Sequence, residues 1–143
     1  MRTTIDLSYE RKGALICILN DSNSIKQIVS DHQEPSRANG LLRKSLFGLS
    51  ILNWAQRQVI TAAASTDGAI ILDRDGTVLD VACMLSKANP SCWEAEGFAE
   101  PISTPGARSG AAWHGSFYGI TIKVSADGPI SMYKNGRELG HID

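Results

Sequence analysis

The sequence lacks most of what would mark a specialised class. No apolar run approaches the ~20 residues that a membrane-spanning helix needs. Met1-Arg2-Thr3-Thr4-Ile5-Asp6 lacks the basic-then-apolar order of a secretory signal. The expectation is a cytoplasmic protein without a membrane segment. Cysteine is scarce: the 3 cysteines, Cys17, Cys83 and Cys92, show no CxxC spacing, which argues against a disulfide framework or a zinc knuckle. Cys17 and Cys83 lie in apolar runs and read as small core residues, whereas Cys92 sits in a polar stretch. Neither sign of charge dominates. A formal net charge of -1 leaves no electrostatic case for general nucleic-acid binding or for a polybasic membrane anchor. No internal repeat, low-complexity stretch or domain linker interrupts the chain.

What is present fits one globular domain over 1–143: 143 residues, 43% hydrophobic and 20% charged, enough to bury a sizeable core. Gly13-Ala14-Leu15-Ile16-Cys17-Ile18-Leu19 reads as a strand buried on both faces. Asp21-Ser22-Asn23-Ser24 gives turn and cap chemistry before a short helix over Ile25 to Ser30. His32 to Gly40 is polar, contains Pro35 and reads as a loop. Leu42, Leu46, Leu49 and Leu52 recur at helical spacing and predict a helix over Leu41 to Ala64. Gly68 to Leu72 and Thr77 to Leu85 read as strands joined by Asp73-Arg74-Asp75-Gly76, a hairpin turn. Ser86 to Thr104 reads as a long irregular segment. A short helix follows over Arg108 to His114. A closing hairpin is built from Tyr118 to Val124, the turn Ala126-Asp127-Gly128-Pro129, and Ile130 to Tyr133, ended by Asn135-Gly136. This order predicts a single α/β domain, a mixed β-sheet flanked by helices.

Two segments carry candidate chemistry. In Asp67-Gly68-Ala69 a carboxylate opens a buried strand at a sheet end, where α/β folds often bind ligands. One Asp can hold Mg²⁺ or Mn²⁺ whose other ligands are phosphate oxygens and water, and Gly68 would let a ligand approach the backbone. In Gly106-Ala107-Arg108-Ser109-Gly110 the free N–H groups of a helix start attract anions. Arg108 can fork onto phosphate, and Ser109 can cap the helix or donate a hydroxyl. Taken alone, each segment also reads as an ordinary turn. Asp73 and Asp75 read as turn residues, and His32 and His141 as solvated. His114 reads as packed or solvent-facing. Trp54, Trp93 and Trp113 read as core or loop anchors, with Trp93 or Tyr118 as candidates to stack on a base.

In this order, these segments resemble the diadenylate cyclase domain family. Lys12 to Ile18 is similar to that family's first core strand, Thr66 to Ile71 to its DGA motif, and Val81 to Ser86 to the strand after it. Gly106 to Ala112 stands where the family has G-x-R-H-R-A-A. Val124-Ser125, Gly128 to Ser131 and Asn135 to Leu139 resemble its closing hairpin, so the match covers about 11–140. The resemblance implies condensation of two ATP molecules into cyclic di-AMP with Mg²⁺ or Mn²⁺, by two domains meeting face to face as a homodimer. It assigns Asp67 to the metal and to activation of the 3′-hydroxyl, Gly68 and Ala69 to the nucleotide pocket, and Arg108 to phosphate.

The sequence departs from the family where the chemistry is densest. Arg108-Ser109-Gly110 replaces R-H-R, and Ser125-Ala126-Asp127 stands where S-E-E is expected. Asp127, one position later, is a candidate replacement that also suits an Asp-Gly turn. Losing a phosphate-facing cation commonly costs on the order of a thousandfold in rate. The reading is therefore a diadenylate-cyclase-like nucleotide-binding domain, catalytically degenerate and acting as a nucleotide sensor or regulatory module. Its alternatives are an active diadenylate cyclase with a divergent site, or a structural interaction domain without ligand.

Overall fold

The apolar run that opens at Ala14 forms β1 (Ala14–Leu19), the strand from which the rest of the sheet is built. The computed structural model describes residues 13–143. The segment Met1 to Asp6 and the start of the family match at residues 11–12 lie outside the described residues. After β1 come a 3-10 turn (Ser22–Ser24) and helices α1 (Ile25–Ile28), α2 (Gly40–Leu46) and α3 (Trp54–Ala64), then the pair β2 (Ala69–Leu72) and β3 (Val78–Cys83). Helices α4 (Pro90–Ala95) and α5 (Ala107–Gly115) precede β4 (Gly119–Val124), β5 (Ile130–Lys134) and β6 (Arg137–Ile142). The six strands form one sheet in the order β3-β2-β1-β4-β5-β6. Among the described residues only β1 and β2 are parallel, and every other neighbouring pair is antiparallel. The expected α/β domain with a mixed sheet flanked by helices is the observed architecture.

Strand periodicity divides the core into two layers. Ala14 and Ile16 of β1, with Ile70 and Leu72 of β2, point to a face covered by Leu46, Ile60, Ala63 and Ala64 of α2 and α3. Leu15, Cys17 and Leu19, with Ala69 and Ile71, point to the other face, covered by Ile25 and Ile28, Trp93, and Ala112 and Trp113. Burial on both sides explains why β1 and β2 read as continuous apolar runs rather than alternating ones. It also pushes the Cys17 thiol up to about 12, so this cysteine is an inert core residue.

Several expectations need correcting. The helix expected over Leu41 to Ala64 is two helices. Gly48 adopts φ 83°, in the left-handed region that stops a helix. Residues 48–51 instead exchange backbone hydrogen bonds with the start of β3: Gly48 N–H donates to Val78 O (2.8 Å), Val78 N–H to Leu49 O (2.8 Å) and Ile51 N–H to Gly76 O (2.9 Å). A new helix starts at Asn53, whose side chain accepts from the Gln56 N–H, while Gln56 Oε1 accepts from the Ser50 N–H. The segment Ser86 to Thr104 is not wholly irregular, because Asn89 caps α4 and Pro90 occupies its first turn. The chain after Asn135-Gly136 returns as a sixth strand. Trp54 is no anchor, being 66% exposed. The turn over Asp73 to Gly76 is as expected: Asp73 Oδ1 accepts from the N–H groups of Asp75 and Thr77.

His32 is not solvated. Its Nδ1 lies 2.7 Å from Asp80 Oδ2, in a cluster that ties the 29–40 segment to β3. Asp80 is fully buried and also accepts from Arg37 Nη1 (2.9 Å) and Arg43 Nε (2.9 Å). The same Arg43 guanidinium donates to both carboxylate oxygens of Asp31, each at 2.8 Å. Burial alone would raise the Asp80 carboxyl, but hydrogen bonds from Arg43 and His32 outweigh it and hold it below the usual carboxylate range. The charges are buried because each meets a partner.

Candidate nucleotide cleft

The register of three strands assembles the site. Leu15 of β1 pairs with Ala69 of β2 on one side and with Lys123 of β4 on the other. The start of β1, the start of β2 and the end of β4 therefore lie at one end of the sheet. Asp67-Gly68, Gly13 and Lys123 come together there although the sequence separates them widely. In open parallel sheets the usual ligand crevice lies at the carboxyl ends of the strands. Here the cleft opens at the amino ends of the parallel pair, where the amino end of α5 lies.

Helix α5 is 9 residues long and begins after Gly106, with no side chain capping its first turn. Thr121 Oγ1 on β4 donates to Ala112 O (2.6 Å) and Trp113 Nε1 donates to Gly136 O (3.1 Å). These bonds fix the helix on the sheet and aim its amino end at Asp67. The resulting cleft measures about 440 Å³ and is lined by Asp67, Pro105 to Ser109 and Lys123 to Ala126. A second cavity of about 210 Å³, more apolar, is lined by Leu15, Asp67 to Ala69, Cys83 to Leu85, Ala107, Arg108 and Ala111. Asp67, Ala107 and Arg108 line both, so the polar cleft and the apolar cavity adjoin across the Arg108 side chain.

Most of the residues expected from sequence meet here: Asp67, Gly68, Ala69, Gly106, Ala107, Arg108 and Ser109 all line one cavity or the other. Gly110 is in the first turn of α5 but lines neither, and a Cβ on it would lie 3.5 Å from Thr104 Oγ1. Asp127 is in the β4–β5 turn, outside both linings. Gly68 also has a packing role beside the one expected. Its φ is 97°, and a Cβ there would stand 2.5 Å from the carbonyl carbon of Ala82 and 2.7 Å from Cys83 N. The glycine lets β2 meet a bulge in β3, where Ala82 itself has φ 52°. Asp67 Oδ1 accepts from the Gly68 N–H at 3.1 Å, and the carboxylate is otherwise exposed to the cleft.

Two contributors escaped the sequence reading. Gly13 gives the Arg108 guanidinium its seat: a Cβ there would be 2.4 Å from Nη1 and 2.8 Å from Cζ. Lys123 donates from Nζ to Ser109 Oγ at 3.0 Å. The signal for Lys123 was its phase. It shares a face of β4 with Thr121, the face that α5 covers, and a lysine there has no apolar purpose. Trp93 and Tyr118, offered as base-stacking candidates, are buried in the core and line neither cavity. His114 packs: its Nδ1 accepts from the Ala88 N–H at 3.0 Å. Burial and then Lys87 hold it below the usual histidine range, so it is a neutral acceptor fixing the 86–88 segment.

The described residues contain no cluster of three or more His, Cys, Asp or Glu able to hold a metal alone. Among the described residues Asp67 is the single carboxylate lining the cleft. That donor set fits Mg²⁺ or Mn²⁺ only where phosphate oxygens and water complete the coordination.

No protein-family model matches the chain, and no curated protein does. Solved structures do match. A hypothetical membrane-spanning protein from Bacillus cereus superposes with a TM-score of 0.64 at 18% identity, covering 99% of this chain and 60% of that one. A double mutant of DacA from Staphylococcus aureus superposes with a TM-score of 0.57 at 19% identity, covering 99% of this chain and 83% of that one. Among the described residues no helix is long and apolar enough to cross a membrane. At these identities the likeness is one of fold, and the chain has the α/β fold of DacA.

Proposed function

We propose that this chain is a diadenylate-cyclase-like domain that binds a nucleotide and has lost most of its catalytic equipment, acting as a nucleotide sensor or regulatory module. The observation that carries the reading is the cleft of about 440 Å³, in which an exposed carboxylate faces an uncapped helix start bearing Arg108. Such a site suits a metal-bound polyphosphate: helix N–H groups and the guanidinium take the phosphate oxygens. Asp67 would hold Mg²⁺ or Mn²⁺, which would supply charge neutralisation when bound. The adjoining apolar cavity suits a base. The fold it shares with DacA, a diadenylate cyclase, makes ATP or a related adenine nucleotide the first ligand to try.

The degenerate reading rests on what lines the cleft. Ser109 supplies no charge, Gly110 stands behind the lining and offers none, and Ala126, not an acid, follows Ser125 in the lining. Turnover would further require two copies face to face, each presenting one ATP; a sensor needs only one. Incubation with ATP and Mn²⁺ followed by mass spectrometry separates these readings. The expected result is nucleotide binding with no more than trace cyclic di-AMP. Robust product that disappears in Asp67→Asn would establish an active cyclase instead. Absence of binding by ATP, other nucleotides and cyclic di-AMP at millimolar concentration would leave a structural interaction domain.

A further inference from the structure

We infer that Lys123 is the second phosphate-binding cation of the cleft, and that the Ser109 hydroxyl holds its ammonium in position. The inference rests on the nucleotide reading above and adds to it a residue from a different element. Lys123 reaches the cleft from the end of β4, whereas Arg108 reaches it from α5, so the two cations approach a bound anion from separate walls. Neither has a carboxylate partner among the described residues. The cleft lining sets these two cations against one carboxylate, Asp67, leaving it positive before any ligand arrives.

The geometry of Lys123 argues against a purely structural role. An ammonium carries three donors, and among the described residues the single bond it makes is to Ser109 Oγ, at 3.0 Å. A partly buried cation with donors to spare is held at a cost unless an anion or water meets it. Ser109 accepts from that ammonium in the first turn of an uncapped helix, beside the backbone N–H groups that attract anions. Ammonium, guanidinium and helix start thus converge on one cleft, and the ligand chemistry they fit is two linked phosphates rather than one.

The test uses calorimetric titration of inorganic pyrophosphate, ATP and adenosine into the wild-type chain and into Lys123→Met, Lys123→Arg and Ser109→Ala. Wild type is expected to bind pyrophosphate and ATP. Lys123→Met should weaken both at least tenfold and leave adenosine affinity within twofold. Lys123→Arg should recover most of the loss, and Ser109→Ala should cost a smaller factor in the same two ligands. A merely structural lysine would move adenosine along with ATP. If wild type binds ATP and Lys123→Met binds it equally, the inference is overturned and the nucleotide reading stands. If wild type binds none of the three, both fall. Should Lys123→Met not fold, Lys123→Gln takes its place under the same criteria.

Discussion

The two charged regions of this molecule make opposite uses of the same residue types. Around Asp80, buried carboxylate and guanidinium groups are matched partner to partner: Arg43 bridges Asp80 and Asp31. Around Asp67, an exposed carboxylate, a guanidinium and an ammonium share a cleft with no ion pair among them. Pairing is what makes burial affordable in the first region. In the second, solvent access removes the need for it, and the charges stay available to a ligand. Charge content alone could not separate them; the partners do.

That contrast predicts different consequences of substitution. The largest effect is expected at the buried cluster. Asp80→Asn leaves Arg43 and His32 facing a neutral group and should destabilise the chain by about 3–5 kcal/mol. Asp31→Asn, whose carboxylate is 39% exposed, should cost under about 1 kcal/mol. Urea unfolding of both variants checks the pair. The pH dependence has a definite sign. The Asp80 carboxyl is held low, so its stabilisation is present above the unfolded carboxylate range and is lost as the pH falls through the folded value. Acid unfolding should therefore be shallower in Asp80→Asn than in the wild-type chain.

The next effect is expected at Gly68. Ala there combines a φ of 97° with a Cβ 2.5 Å from the β3 backbone, which should cost roughly 1–3 kcal/mol. A Gly68→Ala chain as stable as wild type would show that β3 yields there and that the bulge at Ala82 is soft. A smaller effect belongs to His114. Its folded value is lowered, so the contribution is complete above the unfolded value and shrinks as pH falls below about 6.5. Thermal melts between pH 7 and 5 should show a loss that His114→Gln reduces. The smallest effect is expected in the cleft, where Asp67→Asn and Arg108→Ala should leave stability within about 0.5 kcal/mol. A large loss in either would mean that these charges belong to the fold and would erase the contrast.

What could be read from the sequence was local. Ala14 to Leu19 and Gly68 to Leu72 announced buried strands by their unbroken apolar character, and Asp73 to Gly76 announced a hairpin by its turn residues. The amino end of α5 followed from Pro105-Gly106. The DGA-like and arginine-bearing segments could be paired because a metal carboxylate and a phosphate-binding helix start are complementary, and because their order resembles the diadenylate cyclase family. What escaped depended on contacts across the sheet. Gly48 breaks a good helical pattern because residues 48–51 bond to β3, and no window around Leu41 to Ala64 contains that partner. Asp80 reads as the polar member of an alternating strand until the 29–40 segment folds over it. Lys123 and Gly13 enter the cleft through strand register, which places Leu15 between Ala69 and Lys123. The Asn53-x-x-Gln56 and Asn89-Pro90 signals were local and legible, and the helical spacing of the leucines obscured the first of them.

The central claim is that the cleft charges, which have no ion pair among the described residues, are there for a polyphosphate. Its most direct test is calorimetric titration of ATP, with Mg²⁺, into the wild-type chain and into Arg108→Ala, both shown to be folded by circular dichroism. The account predicts saturable binding by wild type and at least a tenfold weaker affinity, about 1.4 kcal/mol, in the variant. Equal affinity in the two proteins, or no binding by wild type up to millimolar ATP, would contradict it.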